Sequence, residues 1–296
     1  METIPAKHLL HRSRSTEWFG TDHTMNLYRG CCHGCLYCDS RSDCYQIDGF
    51  DQVRAKADAL RILRDDLSRK VRPAFIATGS MSDPYNPFEK ELELTRHALE
   101  LIEAYECGVA VATKSDLIVR DADILASIQA HAPVICKLTV TTADDALAAK
   151  IEPRAPAPSR RLAALSALSG AGVFCGVLLM PVLPFLEDSD ESVLAVVEGA
   201  ARAGARFIYP ALGVTMRQGQ REHFLDGLER AFPGRELKAR YLRQYGDRYQ
   251  CASPRAGALW KAFTAACREK GILYDMKSII RAATSGYEDR QLTFFD

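Results

Sequence analysis

Cys31, Cys35 and Cys38 stand in one short stretch, spaced Cys-x3-Cys-x2-Cys, and five of the ten cysteines (Cys31, Cys32, Cys35, Cys38, Cys44) fall within 14 residues. Three thiolates on one tight loop can hold three irons of a four-iron, four-sulfur cubane, since thiolates are the usual protein ligands of such clusters. The fourth iron then has no protein ligand and is open to a small chelating molecule, for example through the amino and carboxylate groups of a methionine derivative. Gly30 and Gly34 let the backbone wrap closely and offer amide donors to the sulfurs. The same thiols also permit a structural zinc site built from Cys35 and Cys38 with two of Cys31, Cys32 and Cys44. Zinc motifs usually pair two separate CxxC knuckles, or one knuckle with a distant Cys/His pair. No separate second knuckle exists here, so spacing favours the cluster and leaves Cys32 and Cys44 as bystanders.

These residues need elements to carry them. The chain's 296 residues suffice for one large α/β domain or a barrel with an appendage, and 47% apolar against 26% charged residues supply ample core. Strand-like apolar runs occur at 23–28, 73–78, 109–113, 134–140, 173–180 and 206–210, and amphipathic stretches at 51–68, 89–105, 121–129, 158–169 and 191–203. Such alternation, with near-continuous apolar strands, indicates a parallel sheet with helices outside it. Asn86-Pro87-Phe88-Glu89 reads as a capping box, and Thr142 with Asp145 as a weaker one. Six strands are too few for a closed eight-stranded barrel and suit a doubly wound sheet or an incomplete barrel. Both place chemistry at the C-terminal strand ends, and the cysteines directly follow the first strand. From 216 the strand pattern stops, and 217–231, 236–243, 254–270 and 274–282 read as helices. The expected organisation is an N-terminal segment 1–19, a core over 20–215 and a helical C-terminal extension over 216–296 that is not an independent domain.

Charge and compartment narrow the function classes. Net charge is zero, yet 217–281 carries 14 Lys and Arg against 7 Asp and Glu, a local excess of +7. That excess is compatible with an anionic partner such as nucleic acid, but an ordinary solvated helical surface accounts for it more readily. No run of 18 apolar residues is present, so no membrane span is expected, and 1–15 lacks the form of a signal peptide. Clustered thiols without such a peptide suggest metal binding more than a disulfide framework, and cytoplasmic residence is expected.

Asn26-Leu27-Tyr28-Arg29-Gly30-Cys31-Cys32-His33-Gly34-Cys35-Leu36-Tyr37-Cys38 resembles the CxxxCxΦC signature of the radical S-adenosylmethionine superfamily, with Tyr37 as its aromatic position. The flanking residues, from about residue 20 to the C-terminus, are similar to the branch containing spore photoproduct lyase and its DNA repair photolyase-like relatives. The resemblance implies an incomplete (β/α)6 parallel barrel, a [4Fe-4S] cluster on the three cysteines, and S-adenosylmethionine cleaved to a 5′-deoxyadenosyl radical. That radical abstracts hydrogen from a substrate the sequence does not identify, a nucleic-acid lesion being one class. It also implies a one-electron reductant of flavodoxin or ferredoxin type. The competing reading is a zinc-stabilised nucleic-acid-binding module without catalysis.

The resemblance also nominates cofactor contacts, Tyr37 among them. Ser82 and Asp83, in Thr78-Gly79-Ser80-Met81-Ser82-Asp83-Pro84-Tyr85, match a segment that lies against the cofactor's amino group, where an oxygen would accept a charge-assisted bond. Glu89 is a cap or a ligand. Lys114 matches a residue that pairs with the cofactor carboxylate, or is a solvated strand-end lysine, and Thr139 matches a small hydroxyl contact. In Ile151-Glu152-Pro153-Arg154, Glu152 is suited to ribose hydroxyls and Arg154 to a carboxylate, or the two form a loop salt bridge. Met180-Pro181-Val182-Leu183-Pro184 would form part of the adenine pocket, or its prolines simply make a rigid loop. One departure from the lyases matters: their cysteine hydrogen donor is replaced by Ser80, whose O–H bond is too strong to give a hydrogen atom readily. Cys251 is a substitute donor or a structural cysteine. The terminal Gln291-Leu292-Thr293-Phe294-Phe295 resembles peptides that dock on the bacterial sliding clamp, and packing against the chain's own barrel would satisfy the same aromatics.

Overall fold

The computed structural model describes residues 1–70 and 72–287, so the clamp-like tail at 291–295 lies outside the described residues. The first 56 residues supply five short strands, β1 (Thr3–Ile4), β2 (Leu10–Arg12), β3 (His23–Met25), β4 (Tyr28–Arg29) and β5 (Arg54–Lys56). Then α1 (Ala59–Ser68) leads to β6 (Phe75–Thr78), and α2 (Glu89–Leu92) with α3 (Leu94–Ala104) to β7 (Gly108–Thr113). Next come α4 (Ala122–Gln129) and β8 (Val134–Thr139), α5 (Asp145–Ile151), α6 (Pro158–Gly170) and β9 (Cys175–Leu179), and α7 (Asp190–Arg202) and β10 (Phe207–Pro210).

The main sheet has seven strands in the order β10-β9-β8-β7-β6-β3-β2. All neighbours run parallel except the edge pair β2 and β3, which is antiparallel. The six apolar runs therefore lie side by side in chain order. The inner strands β6, β7, β8 and β9 are buried on both faces, which is why their sequences are nearly continuous in apolar residues. Outward residues such as Val109, Val111, Cys136, Leu138, Val177 and Leu179 join helix residues in the large core. Inward residues Phe75, Ala110, Ile135, Leu178 and Phe207 form a separate interior with Phe19. The N-terminal segment is thus part of the construction: β2 extends the sheet and Phe19 fills its concave face.

Several local expectations are corrected. The stretch 51–68 is helical only from Ala59, because β5 pairs instead with β1 and β4 in a small sheet. The stretch 89–105 breaks at Glu93, which adopts a left-handed conformation between α2 and α3. Asn86 does cap locally, its Oδ1 accepting from the Phe88 N–H at 3.1 Å. Glu89 does not reciprocate: its buried carboxylate accepts from the Tyr28 hydroxyl, the Thr95 N–H and Arg120. For α5 the cap is Asp144, which accepts from the N–H groups of Ala146 and Leu147.

Strands also continue past 215. β11 (Gly213–Thr215) precedes α8 (Gln220–Ala231) and α9 (Leu237–Tyr245), and pairs antiparallel with β12 (Gln250–Ala252). α10 (Ala256–Glu269) packs on α7, and α11 (Met276–Thr284) puts Ile279 and Ala283 into the interior beside Phe19. Among the described residues no helix is long and apolar enough to cross a membrane.

Candidate active site

The cysteine loop follows β4 and is fixed by distant backbone. The Cys31 N–H donates to the Phe50 carbonyl at 2.8 Å, Leu36 N–H to Ile151 at 2.9 Å, and Arg154 N–H to the His33 carbonyl at 3.1 Å. Gly30 enters the loop at φ 82°, and a Cβ there would lie 2.5 Å from the Gln52 carbonyl oxygen, so only glycine fits. Leu36 and Tyr37 point into a second core with Phe224, Leu228 and Tyr241 of α8 and α9. That leaves Cys31, Cys35 and Cys38 lining one cavity of about 390 Å³ at the C-terminal ends of β6, β7, β8 and β9. All ten cysteines are free thiols, and Cys32 and Cys44 do not line this cavity. Burial pushes the Cys31 thiol up to about 12 and raises Cys35 and Cys38 as well. Thiols so placed ionise when a metal takes the charge, so the donor set fits iron.

Ser82, Asp83, Lys114 and Thr139 line the same cavity. Asp83 ties the loop after β6 to the end of β7: its carboxylate accepts from the Tyr85 N–H (2.9 Å), the Thr113 hydroxyl (2.6 Å) and the Lys114 N–H (2.8 Å). Ser82 donates its hydroxyl to the Tyr28 carbonyl at 2.9 Å. The Lys114 ammonium lies 5.4 Å from the centroid of the Tyr37 ring. Burial works against its charge, but Cys35 and Glu152 outweigh that and hold it above the usual lysine range.

Tyr37, Glu152 and Arg154 are not brought into the cavity lining. Glu152 is buried behind the loop, accepting from the Tyr37 hydroxyl and pairing with Arg161 at 2.5 Å. Arg161 in turn donates to the carbonyls of Thr139 (3.0 Å) and Pro156 (2.6 Å), so this network clamps the loop to the end of β8. Arg154 lies against Gly34 and pairs with Asp51 at 2.6 Å, so the loop salt bridge exists with a different acid from the one expected. Ser80 and Met180 line the cavity. Cys251 is buried in the second core, its thiol donating to the Arg248 carbonyl at 3.5 Å, and it does not line the cavity.

Among the lining residues that escaped the sequence reading are His33, Trp18 and Lys137. His33 sits 3.5 Å from Asp83, and burial lowers its basicity. Its position inside the motif was a usable signal, as was a lysine in the middle of a doubly buried strand. Trp18 carried none, since it belongs to irregular chain before β3.

A parallel sheet flanked by helices, with a three-thiol loop opening onto a cavity at its C-terminal edge, defines an α/β enzyme of the open-barrel kind. The family model of the radical SAM superfamily matches residues 25–197. The chain belongs to the radical SAM superfamily and is a radical SAM enzyme. The family's cofactors are a [4Fe-4S] cluster and S-adenosylmethionine, and its enzymes draw on an external one-electron reductant. The zinc-stabilised module without catalysis is not favoured. An uncharacterised protein of Mycobacterium tuberculosis is 33% identical over 230 residues, covering 75% of this chain and 67% of that one. Another from Methanocaldococcus jannaschii is 30% identical over 169 residues, covering 57% and 63%. In fold the chain is similar to spore photoproduct lyase complexed with dinucleoside spore photoproduct, with TM-score 0.65 and 14% identity over 92% of this chain and 81% of that one. It is also similar to a radical S-adenosylmethionine methyltransferase from Kitasatospora setae, with TM-score 0.55 and 12% identity over 88% and 60%.

Proposed function

We propose that Cys31, Cys35 and Cys38 hold the [4Fe-4S] cluster and that Ser82, Asp83, Lys114 and Thr139 seat S-adenosylmethionine beside it. The observation that carries this is the shared cavity: three thiols, of Cys31, Cys35 and Cys38, and these four polar side chains face one space, while Cys32 and Cys44 do not. When bound, the pair supplies one-electron cleavage of a carbon–sulfur bond and, from that, hydrogen abstraction from substrate. Lys114 supplies the positive charge for the cofactor carboxylate. Asp83 orients the β6 loop against β7, and the Tyr37–Glu152–Arg161 network holds the cysteine loop against β8. The apolar interior below keeps water from the reacting atoms. Glu152 and Arg154 act as positioning residues for that loop.

The overall architecture is read as an incomplete (β/α)6 barrel of the spore photoproduct lyase-like branch, reduced by a flavodoxin or ferredoxin. A nucleic acid is the substrate class that the fold likeness and the basic 217–281 segment support. Ser80 in the cavity argues that the lyase's own hydrogen return through cysteine is not the reaction. The deciding experiment is anaerobic reconstitution followed by chemical reduction with S-adenosylmethionine. The reading expects a brown protein with four irons and four sulfides per chain (one cubane) and release of 5′-deoxyadenosine. A colourless protein holding stoichiometric zinc, with no deoxyadenosine, would overturn it.

A further inference from the structure

Along β8 the side chains alternate, and Ile135, Lys137 and Thr139 share the inner face. Lys137 is only 2% exposed, yet it makes no ion pair and no hydrogen bond among the described residues. Its ammonium instead lies 4.4 Å from the centroid of the Phe19 ring. A cation–π contact of this kind contributes about 0.5–2 kcal/mol, and no protein group among the described residues completes the ammonium's hydrogen bonds, so these are left to whatever occupies the cavity that Lys137 lines. Burial accordingly lowers its ammonium to about 7. Lys137 differs here from Lys114, which has Cys35 and Glu152 for neighbours.

Two further features show what this lysine faces. It lines the same cavity as the three cysteines, together with Leu178. Trp18 lines that cavity too, 42% exposed and held edge-on by Phe19 at 5.0 Å and Tyr209 at 5.4 Å. A rigid, exposed indole is a stacking surface for a planar group, and a buried cation beyond it is a socket for an anion.

We infer that Lys137 is a substrate-binding residue whose ammonium receives an anionic group, carboxylate or phosphate, of the molecule that enters past Trp18. This rests on the cavity being the cofactor and substrate site proposed above, and it narrows the substrate to one carrying a negative charge near a planar part. Lys137 is thus a specificity-determining cation distinct from Lys114.

The test uses the reconstituted full chain with S-adenosylmethionine present. Trp18 and Trp260 are the only tryptophans, so Trp260→Phe leaves Trp18 as the sole indole reporter. Sodium acetate, sodium phosphate and neutral acetamide are titrated while Trp18 fluorescence is followed. The inference expects a saturable change with acetate or phosphate and none with acetamide; which anion saturates tells carboxylate from phosphate. Lys137→Met should weaken that binding at least tenfold, and Lys137→Arg should retain most of it. No saturable change with either anion in the parent, or equal anion affinity in Lys137→Met, overturns the inference. So does an adduct on Lys137 after borohydride treatment with an aldehyde probe that acetate does not suppress, since the amine would then act as a nucleophile. If Lys137→Met fails to fold, the parent titration still decides. Deoxyadenosine release, read in the same samples, reports the cofactor assignment separately: its absence alongside Lys137-dependent anion binding would sink that assignment, and the substrate role with it, while the anion site itself would stand.

Discussion

Lys114 and Glu152 both have the residue type for binding a cofactor, and the structure separates them by where they are anchored. The Lys114 backbone is pinned by Asp83, so its side chain alone enters the cavity. Lys114→Met should therefore leave the fold and cluster intact while removing one charge-assisted bond, worth about 1.5–3 kcal/mol, or roughly tenfold to a hundredfold in affinity. Equilibrium dialysis of S-adenosylmethionine against reconstituted protein, with iron content measured in parallel, checks this. Unchanged affinity would mean a solvated strand-end lysine. Glu152→Gln should act the other way round. Losing the partner of a buried Arg161 destabilises the protein by about 3–5 kcal/mol and lowers iron retention, with cofactor affinity per iron-loaded protein little altered. That the three thiols, Ser82, Asp83, Lys114 and Thr139 meet at one cavity was legible, because type and motif position suffice to bring them together. The direction of Glu152 was not, because it depends on Arg161, nine residues later in the first turn of α6.

At the scale of elements, strands were easier to read than helices. The inner parallel strands β6 to β9 are largely apolar on both faces, a pattern that survives without any knowledge of partners. Helix boundaries failed where tertiary hydrogen bonds competed: Ala55 and Lys56 find strand partners, and Glu93 turns left-handed so that the Thr95 N–H can reach the Glu89 carboxylate. The connection after β6 is the most demanding of these. Gly79 has φ 90°, and a Cβ there would lie 1.9 Å from the Ala112 carbonyl oxygen. Gly79→Ala must push this loop off β7, at roughly 3 kcal/mol or more once left-handed strain and the clash are combined. Because Ser82 and Asp83 follow directly, the same change should weaken S-adenosylmethionine binding. Urea unfolding and dialysis together test this, and a variant of parental stability would show that the loop yields freely.

For the molecule as a whole, two buried groups of opposite kind set a pH dependence that the formal charge balance hides. Burial raises the Glu187 carboxyl to about 8 although the Leu183 N–H donates to it at 2.9 Å, and it lowers Lys137 to about 7. An unfolded glutamate ionises near 4.5 and an unfolded lysine near 10.5. Between about 4.5 and 8 the folded chain keeps a proton on Glu187 that the unfolded chain has released, so stability falls as pH rises. Between about 7 and 10.5 the unfolded chain keeps a proton on Lys137 that the folded chain has lost, so stability rises with pH. Each group has a limiting slope of about 1.4 kcal/mol per pH unit, and the two oppose each other near neutrality. Glu187→Gln, which preserves the acceptor for Leu183, should gain on the parent progressively from about pH 5 to about pH 8 and hold that gain above. Lys137→Met should be ahead by its full margin below about pH 7 and lose the advantage toward about pH 10. Urea unfolding of the three proteins across that range measures both limbs. Parallel curves for parent and Lys137→Met would show that water in the cavity already satisfies this ammonium, and with it the reason to look for an anion in the barrel would disappear.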